Sequence, residues 1–391
     1  MLRSLYSGIS GLRSHQQMLD VTGNNIANVN TVGFKASSTV FQDTLSQMTQ
    51  GAGGPQTGIG GTNPAQIGLG VQVAGVSTNF AQGSAQATGK ATDLMISGDG
   101  FFVTRLGNDT VYSRAGAFDF DADGRLVSAD GKIVQGYPAT NGVVNENGQL
   151  GDIVLPLDAA APAVRTTTAG VTGNLPSETA VGAVITRDAT VYDSSGAKHT
   201  MSLAYTRTAA GWDVEASDGQ GTKATSSLTF GADGKLTAGG TVTVGNIAVD
   251  MTQLTGFATL NTASIASQNG SSAGSLQGYS ISKDGTVVGT FSNGASLAIG
   301  RVALATFANP AGLEKTGASG YRATANSGNA SVGAPGSPGV GQLASGTLEM
   351  SNVDLSQEFT NLIVAQRGFQ ANARIITTSD EVLQELTNLK R

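Results

Sequence analysis

Apolar residues at helical spacing mark the two ends of this chain and constrain its fold more than any other feature. They recur at steps of three, four and seven, the period of a coiled-coil seam, whereas the sequence between the ends lacks that pattern. We therefore predict one long helix at the start of the chain and another over Val353 to Leu389. The stripe residues, which we expect to form an assembly interface, are Leu5, Ile9, Leu12, Leu19 and Ile26, then Leu355, Phe359, Leu362, Ile363, Phe369, Ala373, Ile376, Leu383 and Leu386.

The helix boundaries carry their own signals. Ser351 followed by Asp354 fits a capping box, which predicts Ser351 as the N-cap of the second helix. The first helix is expected to end within 24–35, where Asn and Gly tolerate left-handed backbone. The free energy gained by burying both apolar stripes is smaller than the conformational-entropy cost of ordering two such long helices. We therefore expect the chain ends to need partners besides each other.

Composition narrows the class of protein. The 391 residues contain 55 Gly, about twice the usual share, only 13% charged residues and no Cys. The net charge of −6 lies in the middle of the chain, which argues against nucleic acid or an anionic membrane as a partner. Without Cys there is neither disulfide nor thiolate chemistry, and no apolar run is long enough to span a bilayer.

The middle of the chain changes to a period of two, with Asp-Gly turns between short alternating segments. Similar blocks on both sides of 156–271 predict one β domain with a second all-β domain, a sandwich or barrel, inserted into it. The predicted fold is mainly β, with long terminal α-helices forming a coiled-coil-like domain from both chain ends. The predicted domains are a terminal helical domain (1–30 and 352–391), an extended connector (31–90 and 320–351), an inner β domain (91–155 and 272–319) and the inserted outer β domain (156–271).

Candidate chemistry is sparse. The acidic residues of 119–130 have the spacing of a calcium-binding EF-hand loop, but strands rather than helices are predicted on both sides, so a hairpin turn explains them better. The segment 270–274 has the spacing of a nucleophile elbow without a strand-to-helix context. Neither His15 nor His199 has a local partner. We therefore predict no catalytic, cofactor-binding or metal site, and hence no enzyme.

Several other residues have plain structural explanations. We interpret Arg367 and Arg374 as a charged, solvent-exposed edge of the last helix, and an assembly contact is the alternative. Gly368 is unfavourable inside a helix and points to close helix approach or bending. The aromatic residues expected to anchor the β cores, rather than bind ligands, are Trp212, Phe230, Phe257, Phe291 and Phe307.

Two long motifs at opposite ends resemble bacterial flagellar rod and hook proteins. Tyr6–Leu12 and Asn24–Lys35 resemble the N-terminal signature of that family, and 348–355 with 365–374 resemble its C-terminal one. The segment 60–71 resembles the hook branch in particular, whereas 92–103 and 112–118 are shared more widely. The motif residues of the first turn are Asn24, Asn25, Asn28, Gly33 and Phe34.

The resemblance implies a structural subunit of the flagellar hook. Such a subunit polymerises with identical copies into a curved hollow tube that transmits torque from rod to filament. The implied partners are the distal rod protein, the hook cap, the hook–filament junction protein and the flagellar type III export apparatus. The implied location is extracellular, reached without a cleaved signal peptide. A distal rod subunit or a secreted β-rich adhesin remain the alternatives.

Overall fold

The chain folds into two compact units. The computed structural model describes residues 2–55, 57–58, 60–140, 142–146, 148–156 and 161–388. The first unit comprises 1–155, 280–288 and 298–391, and the inserted unit comprises 156–279 and 289–297. Segments 272–279 and 289–297 therefore cluster with the insertion, whereas the sequence pattern assigned them to the inner β domain.

Two long helices form the ends of the first unit. Helix α1 spans Leu2–Ala27 and helix α2 spans Leu355–Asn388. The Asp354 carboxylate accepts hydrogen bonds from the backbone N–H groups of Ser356 (2.8 Å) and Gln357 (3.3 Å), so Asp354 is the N-cap of α2. The prediction of Ser351 as N-cap was wrong by one turn. The Ser351 hydroxyl instead accepts from the backbone N–H of Val353, two residues on (3.3 Å), before the helix starts.

The segment after α1 is paired rather than a simple linker. Strands β1 and β4 form one antiparallel ribbon, β2 and β3 form a second, and β5 pairs with a strand near the C-terminus. These strands are β1 Ser37–Asp43, β2 Ser46–Gln50, β3 Ala65–Gly68, β4 Val71–Thr78 and β5 Ala85–Ala87.

The first part of the inner sheet follows. The strands are β6 Leu94–Ser97, β7 Phe101–Leu106, β8 Asp109–Ser113, β9 Phe118–Phe120, β10 Leu126–Ser128, β11 Ile133–Thr140, β12 Val143–Val144 and β13 Gly151–Asp152.

The inserted unit is a β-sandwich. A five-stranded sheet, β15-β16-β17-β18-β19, and a four-stranded sheet, β20-β21-β14-β22, contribute to one hydrophobic core. Strands β20 and β21 form a hairpin, because Gly245 turns the chain between them at φ +57°. The strands are β14 Thr168–Asn174, β15 Val184–Tyr192, β16 Lys198–Arg207, β17 Trp212–Ser217, β18 Lys223–Phe230, β19 Leu236–Ala238, β20 Thr241–Val244, β21 Ile247–Thr255 and β22 Ser264–Gln268.

The returning chain completes the sheet of the first unit, which includes the path β11-β7-β8-β28-β27. A 3₁₀ turn lies at Pro310–Gly312. The strands are β23 Leu276–Ile281, β24 Thr286–Phe291, β25 Ser296–Val302, β26 Leu304–Thr306, β27 Glu314–Gly317, β28 Gly320–Arg322, β29 Ser331–Gly333, β30 Gln342–Ser345 and β31 Thr347–Glu349.

Strand β7 organises the core of the first unit. Its alternate residues point to opposite faces, so Phe102 joins one buried cluster while Phe101 and Val103 join another. Burial on both faces explains why β7 begins with three consecutive apolar residues instead of alternating apolar and polar ones.

Most of the predicted aromatic anchors lie in the cores. Trp212, Phe291 and Phe307 are buried, and Phe230 packs partly buried against the core of the inserted unit. Phe257 is 52% exposed, so that prediction was wrong. Its ring covers the turn at Gly234, where a side chain would collide with it.

Candidate assembly interface

Helices α1 and α2 pack antiparallel through small and polar residues. A β-carbon added to Gly11 would lie 2.6 Å from the Asn372 side chain, and one added to Gly368 would lie 2.5 Å from the His15 ring. Towards the other end of the crossing, the Asn25 amide donates to the Glu358 carboxylate at 3.1 Å. Glycine thus permits close helix approach, which is the reason for the unfavourable Gly368.

The contact between the two helices covers the predicted apolar stripe only in part, and Ile376 takes part in it, because a β-carbon added to Gly8 would lie 3.5 Å from the Ile376 side chain. None of the stripe residues is fully buried, and Phe359 remains 52% exposed. Eight of them are partly covered: Leu5, Leu12, Leu19, Ile26, Leu362, Ala373, Ile376 and Leu383. Six are exposed: Ile9, Leu355, Phe359, Ile363, Phe369 and Leu386.

More of the helical surface is open than the stripe alone. Tyr6, Val364, Ile375 and Val382 are exposed as well, although the heptad pattern did not select them. Arg367 and Arg374 are also exposed. Apolar side chains exposed along two long helices are typical of an interface with other chains.

The turn after α1 is held by its asparagines. The Asn25 side chain donates to the carbonyl of Ser37 (2.7 Å) and accepts from the N–H of Ser37 (3.0 Å). Asn28 donates to the carbonyl of Asn24 at 2.9 Å and accepts from the Thr31 hydroxyl at 3.0 Å. These bonds make the turn a defined connection between α1 and β1.

Glycine is required at position 33. Gly33 has φ +66°, and a β-carbon there would overlap the backbone of Ala115. The next residue, Phe34, lies with its ring centroid 5.3 Å from the Lys315 ammonium, a cation–π contact.

A buried ionic cluster joins the two motif regions to the β domain. The Lys35 ammonium lies 2.7 Å from the Glu349 carboxylate, and both side chains are 0% exposed. Lys35 also donates to the carbonyl of Ala81 (2.7 Å), and the N–H of Gly83 donates to the Glu349 carboxylate (2.8 Å). Arg114 lies 3.6 Å from the second carboxylate oxygen of Glu349.

Sequence reasoning missed this cluster. Both Lys35 and Glu349 lie inside the quoted motifs, but they are 314 positions apart, and no periodicity connects them. Burial lowers the pKa of Lys35 and of Arg114, while Glu349 opposes that shift for both cations. The available signal was that Lys35 is the one charged residue of 24–35 and that Glu349 is one of two in 348–355.

The segments and histidines that were considered as metal or catalytic sites have structural roles instead. β9 and β10 form an antiparallel hairpin around the acidic loop, where the Asp121 carboxylate accepts from the Arg125 backbone (2.7 Å) and guanidinium (2.8 Å). Segment 270–274 lies extended against 161–164 and is not an elbow. His199, on β16, lies 3.3 Å from Asp193 of the preceding turn, so the expectation that His199 has no local partner was wrong. Among the described residues, no cluster of His, Asp and Glu has metal-binding geometry.

The ribbon after α1 adds an exposed apolar surface. Leu45 is 84% exposed, and every residue of β2 and β3 is exposed. The large apolar side chains exposed along this ribbon, residues 40–76, are Val40, Phe41, Leu45, Met48, Ile67, Leu69, Val71 and Val76.

Paired terminal helices around interposed β domains define the class of flagellar axial proteins, and comparison with known proteins agrees. Family models described as flagella basal body rod protein, flagellar hook protein FlgE/F/G D1 domain, flagellar basal body protein FlaE D2 domain and flagellar basal body rod FlgEFG protein C-terminal match residues 5–35, 95–171, 185–321 and 344–389 respectively.

Full-length relatives narrow this class. The chain is 38% identical to the flagellar hook protein FlgE of Borreliella burgdorferi and 37% identical to that of Treponema pallidum, with 100% of each chain covered. It therefore belongs to the flagellar hook protein FlgE family, a family of structural subunits of the flagellar basal body and hook.

One full-length relative is named for the rod rather than the hook. The flagellar basal-body rod protein FlgG of Bacillus subtilis is 37% identical over 392 residues, with 100% of both chains covered. A protein named for the rod thus aligns along the whole chain, so length alone does not separate hook from rod subunits. Within the described part of the chain, no helix is both long and apolar enough to cross a membrane.

Proposed function

We propose that this chain polymerises into a curved, hollow hook tube that transmits torque from rod to filament while bending. The single observation that carries the proposal is the exposed apolar face of α1 and α2, which their mutual contact leaves uncovered. Identical chains stacked head to tail would bury that face, and an interface that does not close generates a filament.

Each predicted domain has a part in this assembly. The terminal helices form the inner wall, the ribbon of 37–78 packs between neighbours, and the β domains lie outside. The inserted unit carries the contacts that slide during bending, because its turns are rich in Gly, Ser and Thr and poor in charge. Small neutral side chains permit several registers at similar free energy.

Its partners follow from the same role. Besides its own copies, the chain contacts the distal rod, the hook cap, the hook–filament junction protein and the type III export apparatus. It is exported unfolded, without a cleaved signal, and functions outside the cell. The absence of Cys suits a chain that folds only after passing through a narrow channel.

Removing the chain ends tests the proposal. In precipitating salt, the full chain should sediment as tubes, whereas a chain lacking 1–30 and 352–391 should remain a soluble monomer. Sedimentation velocity with electron microscopy of the pellet measures both. Tubes formed by the trimmed chain would overturn the role of the helices.

A distal rod subunit is the second candidate, favoured by the full-length match to the Bacillus subtilis rod protein. Curvature separates the two functions, because a rod is a straight shaft and a hook is bent. Straight tubes from the purified full chain, under every salt and temperature tried, would favour the rod.

A further inference from the structure

Four charged residues lie in one row along α2. Arg367, Arg374 and Glu381 follow each other at seven-residue steps, and Glu385 comes one turn later. Residues four or seven apart lie on the same face of an α-helix. All four side chains are exposed, and we name this set the charged row.

The charged row faces away from α1. Helix α2 meets α1 at Gly368, Asn372 and Ile376. An α-helix turns by about 100° per residue, which places Arg374 about 160° from Asn372 and Glu381 about 140° from Ile376 around the helix axis. The contact within the chain therefore leaves the charged row open to another chain.

The row is not neutralised within its own chain. Among the ion pairs that the described residues form, none involves a member of the charged row. The other two acids of α2 have partners, since Glu358 accepts from Asn25 at 3.1 Å and Asp380 accepts from Gln384 at 3.0 Å.

The charges of the row are ordered, with both bases before both acids. Arg374 and Glu381, the nearest base and acid, are about 10.5 Å apart along the axis, which is more than the one-turn spacing of ion pairs within a helix. Glu381 and Glu385 are one turn apart, where like charges repel each other. Cations from outside the helix would relieve this repulsion.

A second, parallel copy of α2 supplies those cations if it is shifted along the axis. Arg374 and Glu385 are 11 residues apart, and Arg367 and Glu381 are 14 residues apart. At 1.5 Å per residue, a shift of about 17–21 Å brings the bases of one helix opposite the acids of the other. Without a shift, like charges would face each other, which disfavours that packing.

We propose that the charged row pairs with the row of a neighbouring copy, bases against acids, and that these ion pairs set the axial shift between adjacent α2 helices. This rests on the proposed polymer, in which head-to-tail copies keep their helices parallel. Ile363 (52% exposed) and Val382 (49% exposed) lie beside the row. Covering them excludes water from the contact and strengthens its ion pairs.

Carbodiimide coupling tests the contact, because it joins an ammonium and a carboxylate in contact as an amide, while the reagent takes up the water that is lost. Arg367→Lys with Arg374→Lys keeps both charges and makes both positions reactive. Tubes are assembled from isotopically light and heavy chains of this variant, coupled and digested. We expect light–heavy peptides that join position 367 or 374 to Glu381 or Glu385.

The internal control is the Lys223–Glu215 pair, 2.6 Å apart in the inserted unit, which should couple within single chains. Tubes that give this control product but no light–heavy product from the charged row overturn the proposal and leave the polymer intact. Failure of the unmodified chain to form tubes overturns the proposed function instead.

Charge reversal gives a second measurement. Preformed tubes are diluted into low salt, and the concentration of chain that stays soluble is measured. Arg374→Glu and Glu385→Arg should each raise this concentration about fivefold, and the chain with both changes should recover most of that loss. Added salt should reduce the effect of each single change, because it screens the charges.

The matched control is Glu178→Arg, which reverses an exposed carboxylate of the inserted unit and should leave the soluble concentration unchanged. If the double variant is as soluble as the two single effects combined predict, the bases and acids of the row do not pair. The proposed shift between copies would then be wrong.

Discussion

At the scale of single residues, the Lys35–Glu349 pair links both ends of the chain in one buried contact. Two charges without solvent are stable only when they are paired and hydrogen-bonded, and here the carbonyl of Ala81 and the N–H of Gly83 add one hydrogen bond to each charged group. Removing Lys35 leaves the Glu349 carboxylate with only the more distant Arg114, at 3.6 Å. The pair therefore makes the fold of the two motif regions interdependent.

Lys35→Met should destabilise the monomer strongly. The Glu349 carboxylate would lose its closest cation, and breaking a buried pair costs about 3–5 kcal/mol. Chemical denaturation of the monomer measures the change. The matched control is Lys90→Met, which removes the surface pair with Asp119 and should cost at most about 1 kcal/mol. Equal losses of stability in Lys35→Met and Lys90→Met would contradict the role of burial.

The turn at Asp193 should make the free energy of unfolding depend on pH in the acidic range. The hydrogen bond from the Ser195 hydroxyl (2.7 Å), followed by those from the backbone, holds the pKa of Asp193 well below its usual value. A carboxyl with a lowered folded pKa stabilises the fold above its unfolded pKa of about 3.9 and loses that contribution as pH falls further.

Asp193→Asn removes the titrating group but keeps an oxygen acceptor. Its melting temperature should lie below that of the unmodified chain near neutral pH, and the gap should narrow as pH falls below about 3.9. Calorimetry across this range measures the gap. A constant gap would show that this carboxylate does not contribute to the acid dependence.

At the scale of elements, the contact between α1 and α2 depends on glycine at its points of closest approach. The helices approach closely at Gly11 and Gly368, and this leaves Phe359 and Ile363 available for other chains. An apolar heptad stripe on a helix is usually interpreted as the surface that packs against the other helix of the same chain. Here the small residues mark the contact within the chain.

Gly368→Ala should weaken the helical pair, because the new β-carbon would lie 2.5 Å from the His15 ring and force it to move. Overpacking of this kind costs about 1–3 kcal/mol. Gly8→Ala is the matched control, because its β-carbon would meet neighbours only at 3.5 Å, and Ala is about 1 kcal/mol better than Gly in a helix.

Thermal dissociation of the tubes, followed by light scattering, measures both substitutions. We expect a lower midpoint for Gly368→Ala and an unchanged or higher one for Gly8→Ala. A lower midpoint for both would show that any side chain on this face disturbs the assembly, and the close approach at Gly368 would not be special.

At the scale of the whole molecule, the two ends of segment 162–273, which contains the sandwich strands, lie side by side. Ala161 and Gly274 exchange backbone hydrogen bonds (2.7 and 3.2 Å), so the chain enters and leaves the sandwich side by side. An insertion with adjacent ends can be removed without stretching the remaining chain. The sandwich also has its own core, which supports treating it as a separable unit.

Deleting 162–273 and closing the gap with a short Gly linker should leave chains that still polymerise. If the insertion carries the sliding contacts, the tubes should be straight or bend more easily. Electron microscopy gives curvature, and the spread of tube shapes gives stiffness. Loss of polymerisation would place an essential contact in the insertion and contradict this assignment.

The sequence by itself determined the local elements and the family. Helical periodicity predicted α1 and α2 to within a few residues, and Asp-Gly turns predicted the hairpin between β9 and β10, because these signals involve residues close in the chain. The paired motifs predicted membership of the flagellar family, which the relatives confirm.

Only the tertiary structure decided which surfaces meet. Periodicity shows that a helix has an apolar face but not what covers it, so the glycine contact between α1 and α2 and the open stripe could not be predicted. The Lys35–Glu349 pair and the division of β24 and β25 between the two units depend on contacts among distant segments. Such contacts leave no local pattern, because burial and pairing are set by the folded chain as a whole.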